Sequence, residues 1–439
     1  MRLLLALTAA FLLAAAPAAA TTRVQVHPHR VHQRVDGFGF SEAFQRSNIL
    51  HGLQGLSPAK QQQVLDLLFT RAGADFSLLR NGIGSSPTDT YDLMKTIEPV
   101  SPGSPDAPPH YEWNGDDNSQ VWLSREALRR GVRAIYADAW SAPGFMKTNG
   151  SDSNGGSLDP AWARAYANYL VEYLRLYARS GIPISLVGFV NEPDIATSYA
   201  SMVESPAQAA DFVKVLGPAL ARSGLRTRIA CCDATGWDVG KPYVDAVLSD
   251  PAAARWLAVA TAHGYSSPPA YPLTDRRPVW ETEWAHLGTP WDPAWDDGTP
   301  GAGIAWAQNV MQSFTAGDVN AFFYWWGAHG SNSNSGLIRM VGDSYDVSKR
   351  FWAIAAFSRF VKPGAVRVDA SSSLPVSAFR NPDGSVAVQV LNPGNAPADL
   401  KLHARAGYLV DATHDLTPVA VHGRRAVVPA RALETFVMR

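Results

Sequence analysis

From about residue 35 to 360, eight short β-rich runs alternate with loops and helical periods, and no other feature restricts the fold so tightly. The runs are VDGFGF (35–40), FSLLRNGI (76–83), RAIYADAW (133–140), SLVGFVNE (185–192), TRIACCDA (227–234), WLAVATAHGY (256–265), RPVWETEW (277–284) and NAFFYWWG (320–327). Most are followed by a helical period. Ser57 and Pro58 open one helix whose stripe is Val64, Leu67 and Leu68, ending near Gly73. Asp159 and Pro160 open another, in which Trp162, Tyr166, Tyr169, Tyr173 and Tyr177 recur at three- and four-residue steps until Gly181; this stripe is expected to pack on the barrel. Eight βα repeats in about 320 residues predict an α/β fold, a (β/α)8 TIM barrel spanning 35–360. Residues that close the strands are then the functional candidates, because barrels of this kind work at the carboxyl ends of their strands.

Beyond residue 361 the pattern changes to short alternating strands broken by turns such as Pro382-Asp383-Gly384 and Pro393-Gly394-Asn395. This predicts an all-β sandwich over 361–439, and TTRVQVHPHRVHQRV supplies an N-terminal strand (21–34) that joins it. Residues 1–20, MRLLLALTAAFLLAAAPAAA, have a basic start, an apolar run of about 14 residues and an A-x-A ending. They read as a signal peptide, too short for a membrane span, so a secreted, extracellular protein is expected.

Charge excludes some partners. With 38 Lys and Arg against 39 Asp and Glu, the chain presents no strong field for nucleic acid or a membrane surface, and a monomer is expected. The 14 tryptophans, many beside Gly, Ser, Asn and Asp, suit a polysaccharide partner, since aromatic faces stack on sugar rings while amides and carboxylates take the hydroxyls. The adjacent pair Cys231 and Cys232 fits neither a zinc-site spacing nor a redox C-x-x-C, and two buried free thiols are expected.

Two carboxylates stand out on this frame. Strand four ends in GFVNEPD, with Asn191 and Glu192 at the opening, and strand seven ends in ETEW. Glu192 and Glu283 are three βα units apart, which places them on one rim. Facing carboxylates on a sugar-friendly rim point to glycoside hydrolysis, one group protonating the leaving oxygen and the other attacking the anomeric carbon. Glu281 shares a strand face with Glu283, but Glu283 lies one layer nearer the opening; Glu281, pointing into the barrel below it, needs a partner such as Arg80, or a proton. Arg80 closes strand two and is a candidate to hold the nucleophile ionised. His263 and Tyr265 close strand six, the phenol within reach of a strand-seven carboxylate. Trp140 closes strand three, and Trp325 or Trp326 on strand eight is a candidate sugar floor, alternation directing the pair to opposite faces.

The segments GFGFSEAFQR, RNGIGSSP, YADAWSAPGFMKT, GFVNEPD, CCDATG, TEWA and SYDVSKRFWAIAAFSRFVKPG together resemble glycoside hydrolase family 30, with closest likeness to its subfamily 7 xylanases and glucuronoxylanases. The resemblance implies a barrel with a side β-domain built from both chain ends, a retaining mechanism, and neither cofactor nor metal. It makes Glu192 the acid/base and Glu283 the nucleophile, gives Asn191 the sugar 2-hydroxyl, and has Arg80 and Tyr265 serve the nucleophile. Trp140 and Ser141 match a subsite-lining loop. Trp113, in HYEWNGDDN, is a candidate stacking residue or a loop-packing one. Arg46 matches a position where some members grip a glucuronic acid branch, paired guanidinium bonds suiting a carboxylate; the alternative is an ordinary surface arginine. Family 30 also contains β-1,6-galactanases, β-1,6-glucanases and β-glucosidases, so the glycan stays open, and a non-catalytic polysaccharide-binding protein is the remaining alternative.

Overall fold

A computed structural model describes residues 21–88 and 94–438 of the 439-residue chain; the expected leader, 1–20, lies outside the described residues. The eight runs all become parallel strands of one sheet: Gly37–Ser41, Leu78–Ile83, Ala134–Ala139, Leu186–Val187, Arg228–Ala234, Leu257–Ala262, Val279–Trp284 and Ala321–His329. The last strand pairs with both the first and the seventh, which closes the barrel. Ladder pairing is shortest in strand four, two residues long, because the chain leaves it at once to form the Asn191-Glu192 rim. A hairpin, Gly336–Val341 with Ser344–Val347, extends the sheet beyond strand eight.

Helices form where the sequence marks their ends. Pro58–Phe69 buries Val64, Leu65 and Leu68 and stops at Thr70, three residues before Gly73. In Ala163–Arg179, Tyr166, Tyr169, Tyr173 and Tyr177 are all buried, as expected of a packing stripe. Pro206–Ser223 starts on a reciprocal cap between Ser205 and Gln208 and ends at Gly224, whose φ of 76° suits a residue without a Cβ. Leu78, Tyr136, Leu186, Val259, Trp280 and Phe323 plug the amino-terminal half of the barrel. The carboxyl ends are left to polar side chains.

The C-terminal strands form a sandwich. Gln25–Arg34 pairs antiparallel with Val366–Ser371 at the edge of a seven-stranded sheet, while Thr22–Arg23 joins a three-stranded sheet with Ala398–Lys401 and Arg425–Val428. Val388, Val390, Leu400, Val428 and Phe436 fill the space between them. The sandwich docks on helix Lys349–Ser358: Thr435 and Gln389 both donate to the Ala356 carbonyl, at 2.9 and 3.3 Å.

Two sequence expectations are corrected here. Cys231 and Cys232 are buried, but they are joined to each other as a disulfide rather than left as thiols. Trp325 and Trp326 do not point to opposite faces. The ladder between strands eight and one shifts register between Tyr324 and Trp326, and a bulge of this kind suspends strict alternation. The two indoles consequently stack on each other, with centroids 4.8 Å apart and planes 24° from parallel.

Candidate active site

Glu192 follows the short fourth strand at φ 48°, a left-handed conformation that is uncommon outside glycine. Its own N–H donates to the Asp233 carbonyl at 2.8 Å, so strand five pins this turn. Two side chains hold its carboxylate: His263 Nδ1 lies 3.1 Å from Oε1, and the Tyr199 hydroxyl donates to Oε2 at 3.3 Å.

Glu283 closes strand seven and is 5 % exposed, Glu192 8 %. Arg80 donates to Glu283 Oε2, and the Tyr265 hydroxyl donates to Oε1 at 2.8 Å. The guanidinium also reaches Asp138 Oδ2 at 2.7 Å and Asn191 Oδ1 at 2.6 Å, and it lies 4.5 Å from the Trp140 ring centre. Burial acts to lower the Arg80 pKa, but Glu283, Asp138 and Asp233 overcome it and hold the group well above its ordinary value, firmly charged. Burial pushes Glu283 upward, Glu192 adding to the rise, while the charges of His263 and Arg80 and the Tyr265 hydrogen bond oppose it. His263 is drawn down by burial and raised, on balance, by Glu283 and Glu192.

Carboxylate oxygens of Glu192 and Glu283 and a ring nitrogen of His263 lie within 4.8 Å of one another. A closest oxygen-to-oxygen approach of at most 4.8 Å is consistent with the close carboxyl pair, roughly 5 to 5.5 Å, in which the second carboxylate reaches the anomeric carbon directly, rather than the roughly 6.5 to 9.5 Å pair that admits a water. The same three donors are spaced to suit a cation, but a metal there would have to compete with the guanidinium already seated on Glu283.

Below the pair lies a buried layer that single-strand reading missed. Asp233 accepts from the Tyr136 and Thr282 hydroxyls, and its Oδ1 is 3.8 Å from His263 Nε2. Asp138 is held well above the ordinary carboxylate range by burial and by Asp233. Space for these groups comes from Gly188, where a methyl would overlap Asp138 Oδ1 and the Tyr136 hydroxyl. Parity was the available signal: Tyr136, Asp138 and Trp140 alternate along strand three, all on the inward face.

Glu281 does not pair with Arg80. Its two oxygens accept from the backbone N–H groups of Glu283, at 3.0 Å, and Phe323, at 3.2 Å. Burial raises its pKa well above ordinary, while the two backbone N–H groups and the charge of Arg80 oppose the rise.

The remaining candidates divide. Trp140 meets Phe44 at 5.1 Å and Trp325 at 5.7 Å between centroids, beside Arg80. Ser141 is fully buried, its hydroxyl donating to the Ala142 carbonyl at 2.9 Å. Arg46 is not a surface arginine: it is 4 % exposed, its guanidinium 3.9 Å from the Trp326 ring centre and donating to the Phe44 carbonyl at 2.5 Å. Trp113 packs against Tyr177 of the Ala163–Arg179 helix, centroids 5.7 Å apart, and so takes the loop-packing role rather than joining the catalytic cluster. Tyr199, in the loop after strand four, went unnoticed because nothing in its sequence surroundings ties it to Glu192.

A closed barrel with paired rim glutamates, a guanidinium clamp and aromatic walls defines a glycoside hydrolase. The O-glycosyl hydrolase family 30 model matches residues 21–247, and the family 30 β-sandwich model matches 364–436. The chain belongs to glycoside hydrolase family 30. The catalytic domain of xylanase C from Talaromyces cellulolyticus superimposes with a TM-score of 0.87 at 38 % identity, covering 94 % of this chain and 99 % of that one. An endo-1,6-β-D-glucanase of Trichoderma harzianum is 28 % identical over 410 residues, 84 % of this chain and 79 % of its own length. Glucuronoxylanase XynC of Bacillus subtilis is 23 % identical over 357 residues, 74 % and 79 % of the two chains.

Proposed function

We propose that this chain is a secreted, monomeric, retaining hydrolase of β-1,4-xylan, with glucuronoxylan as its substrate and no call on nucleic acid or membrane. The observation that carries the mechanism is the 4.8 Å limit between Glu192 and Glu283 oxygens. Glu192 gives its proton to the glycosidic oxygen as Glu283 bonds to the anomeric carbon and the C–O bond to the departing sugar breaks. Glu192 then takes a proton from water, the water oxygen bonds to that carbon, and Glu283 is released. Arg80 balances the negative charge of Glu283 before it attacks and again as it is released, and the Tyr265 hydroxyl hydrogen-bonds the same carboxylate.

Support for xylan is the 38 % identity with xylanase C over nearly the whole chain; the glucuronoxylan reading rests on the likeness of Arg46 to a branch-gripping position, and Arg46 lies buried against Trp326. The glucanase relatives favour a second reading, hydrolysis of β-1,6-glucan by the same two carboxylates. Incubation with glucuronoxylan, arabinoxylan and β-1,6-glucan, followed by sizing of products and NMR of the first-formed anomer, separates them. Retained β configuration and cleavage of glucuronoxylan are expected. Inversion sinks the mechanism; cleavage of β-1,6-glucan alone sinks the substrate.

A further inference from the structure

The amino-terminal face of the barrel, opposite the catalytic rim, carries a cavity of about 430 Å³. It lies where helix Pro206–Ser223 ends and strands Arg228–Ala234 and Leu257–Ala262 begin. Arg228, Arg255 and Arg277 line it and no acidic residue does, although the whole chain is balanced in charge. Arg277 is held from behind by backbone carbonyls, its Nε donating to Leu257 at 2.8 Å and its Nη2 to Ala254 at 2.9 Å. Those partners neutralise none of its charge. Arg255 has its guanidinium 4.9 Å from the Trp256 ring centre.

Trp256 forms the wall. Gly217 exists to seat it, since a methyl there would overlap the indole, and the indole N–H is buried without an acceptor. Leu225, Ile229 and Leu257 continue the apolar lining. A bare inorganic anion needs neither this volume nor an apolar wall. A sugar ring carrying a carboxylate uses both, because pockets for small ligands combine apolar walls with a few fixed polar groups and guanidinium pairs with carboxylate through parallel hydrogen bonds.

We propose that this cavity is a second glycan-binding site, which takes a uronate-bearing sugar of a polysaccharide while the catalytic rim is free to act elsewhere on the chain. Arg228 and Arg255 take the carboxylate, and Trp256 and Leu225 cover the ring. The site does not depend on which glycosidic bond is hydrolysed, so its test and that of the proposed function fail separately.

The test uses the full chain with Glu283→Gln, which removes turnover, in affinity electrophoresis through gels containing glucuronoxylan or neutral arabinoxylan. Added Arg228→Gln and Arg255→Gln should cut the glucuronoxylan retardation at least fivefold, whereas Arg164→Gln with Arg405→Gln, the same charge lost elsewhere, should change it less than twofold. Methyl glucuronide should quench Trp fluorescence more in the parent than in Trp256→Phe with the two arginine changes, the difference being the share of the cavity. Equal loss of retardation in the control pair, unchanged retardation in the cavity pair, or displacement by inorganic phosphate as effective as by methyl glucuronide overturns the proposal.

Discussion

Glu434 lies in the C-terminal sandwich on strand Ala432–Met438, among alternate residues that include Ala432 and Phe436 of the apolar core. It is 2 % exposed, and burial alone pushes its pKa up to about 8 from an ordinary 4.5. Between those two values the folded protein keeps a proton that the unfolded chain has released. Stability therefore falls as pH rises from about 4.5 to about 8 and levels off above it. A tenfold change in proton affinity is worth about 1.4 kcal/mol, so the window spans at most about 5 kcal/mol. Water reaching the carboxylate through small relaxations brings the expectation to about 2 to 4 kcal/mol. Glu434→Gln keeps the shape and removes the ionisation. At pH 5 the variant and parent should unfold in urea within about 1 kcal/mol of each other; at pH 9 the variant should be more stable by about 2 to 4 kcal/mol, a Tm gain of about 2 to 5 °C. Differencing the two proteins cancels the other buried acids, such as Glu98 and Glu204, each raised to about 7 by burial. A stability difference that is the same at pH 5 and pH 9 would refute the reasoning.

Tyr265→Phe removes one of the two donors on Glu283, and a hydrogen bond to a charged group is worth about 1.5 to 3 kcal/mol; kcat should drop about 10- to 150-fold with the melting temperature little changed. Glu281→Gln sets an amide nitrogen against one of the two N–H groups that now find oxygen, and urea unfolding should show a loss of about 1 to 3 kcal/mol. Gly188→Ala forces Asp138 and Tyr136 apart and should lower both stability and turnover, whereas a variant with parental activity would show that this floor is not needed. Titration of thiols in concentrated guanidinium without reductant should find none, Cys231 and Cys232 being bonded to each other.

Much of the active site was legible because a barrel converts strand order into position. Eight β-rich runs meant one closed sheet, and residues at or just past the carboxyl ends of strands four, six and seven therefore had to share a rim; Arg80, expected to close strand two, lies inside strand Leu78–Ile83 and reaches that rim through its long side chain. Asn191, Glu192, Arg80, Tyr265 and Glu283 meet there. Parity carried further than it was used: the inward series of strand three already contained Asp138.

By itself, then, the sequence determined the closed barrel, the sandwich built from both chain ends and the two rim glutamates, since periodicity and chain order are local properties. Tertiary structure decided what meets across the barrel. It placed Arg80 on Glu283 rather than Glu281, put Tyr199 and His263 on Glu192, and turned Trp113 toward a helix. It also stacked Trp325 on Trp326 through a register shift that depends on the neighbouring strand. Alternation tells which side of its own strand a residue takes, but partners are set by the distance between strands far apart in sequence, and only the closed barrel brings those strands together.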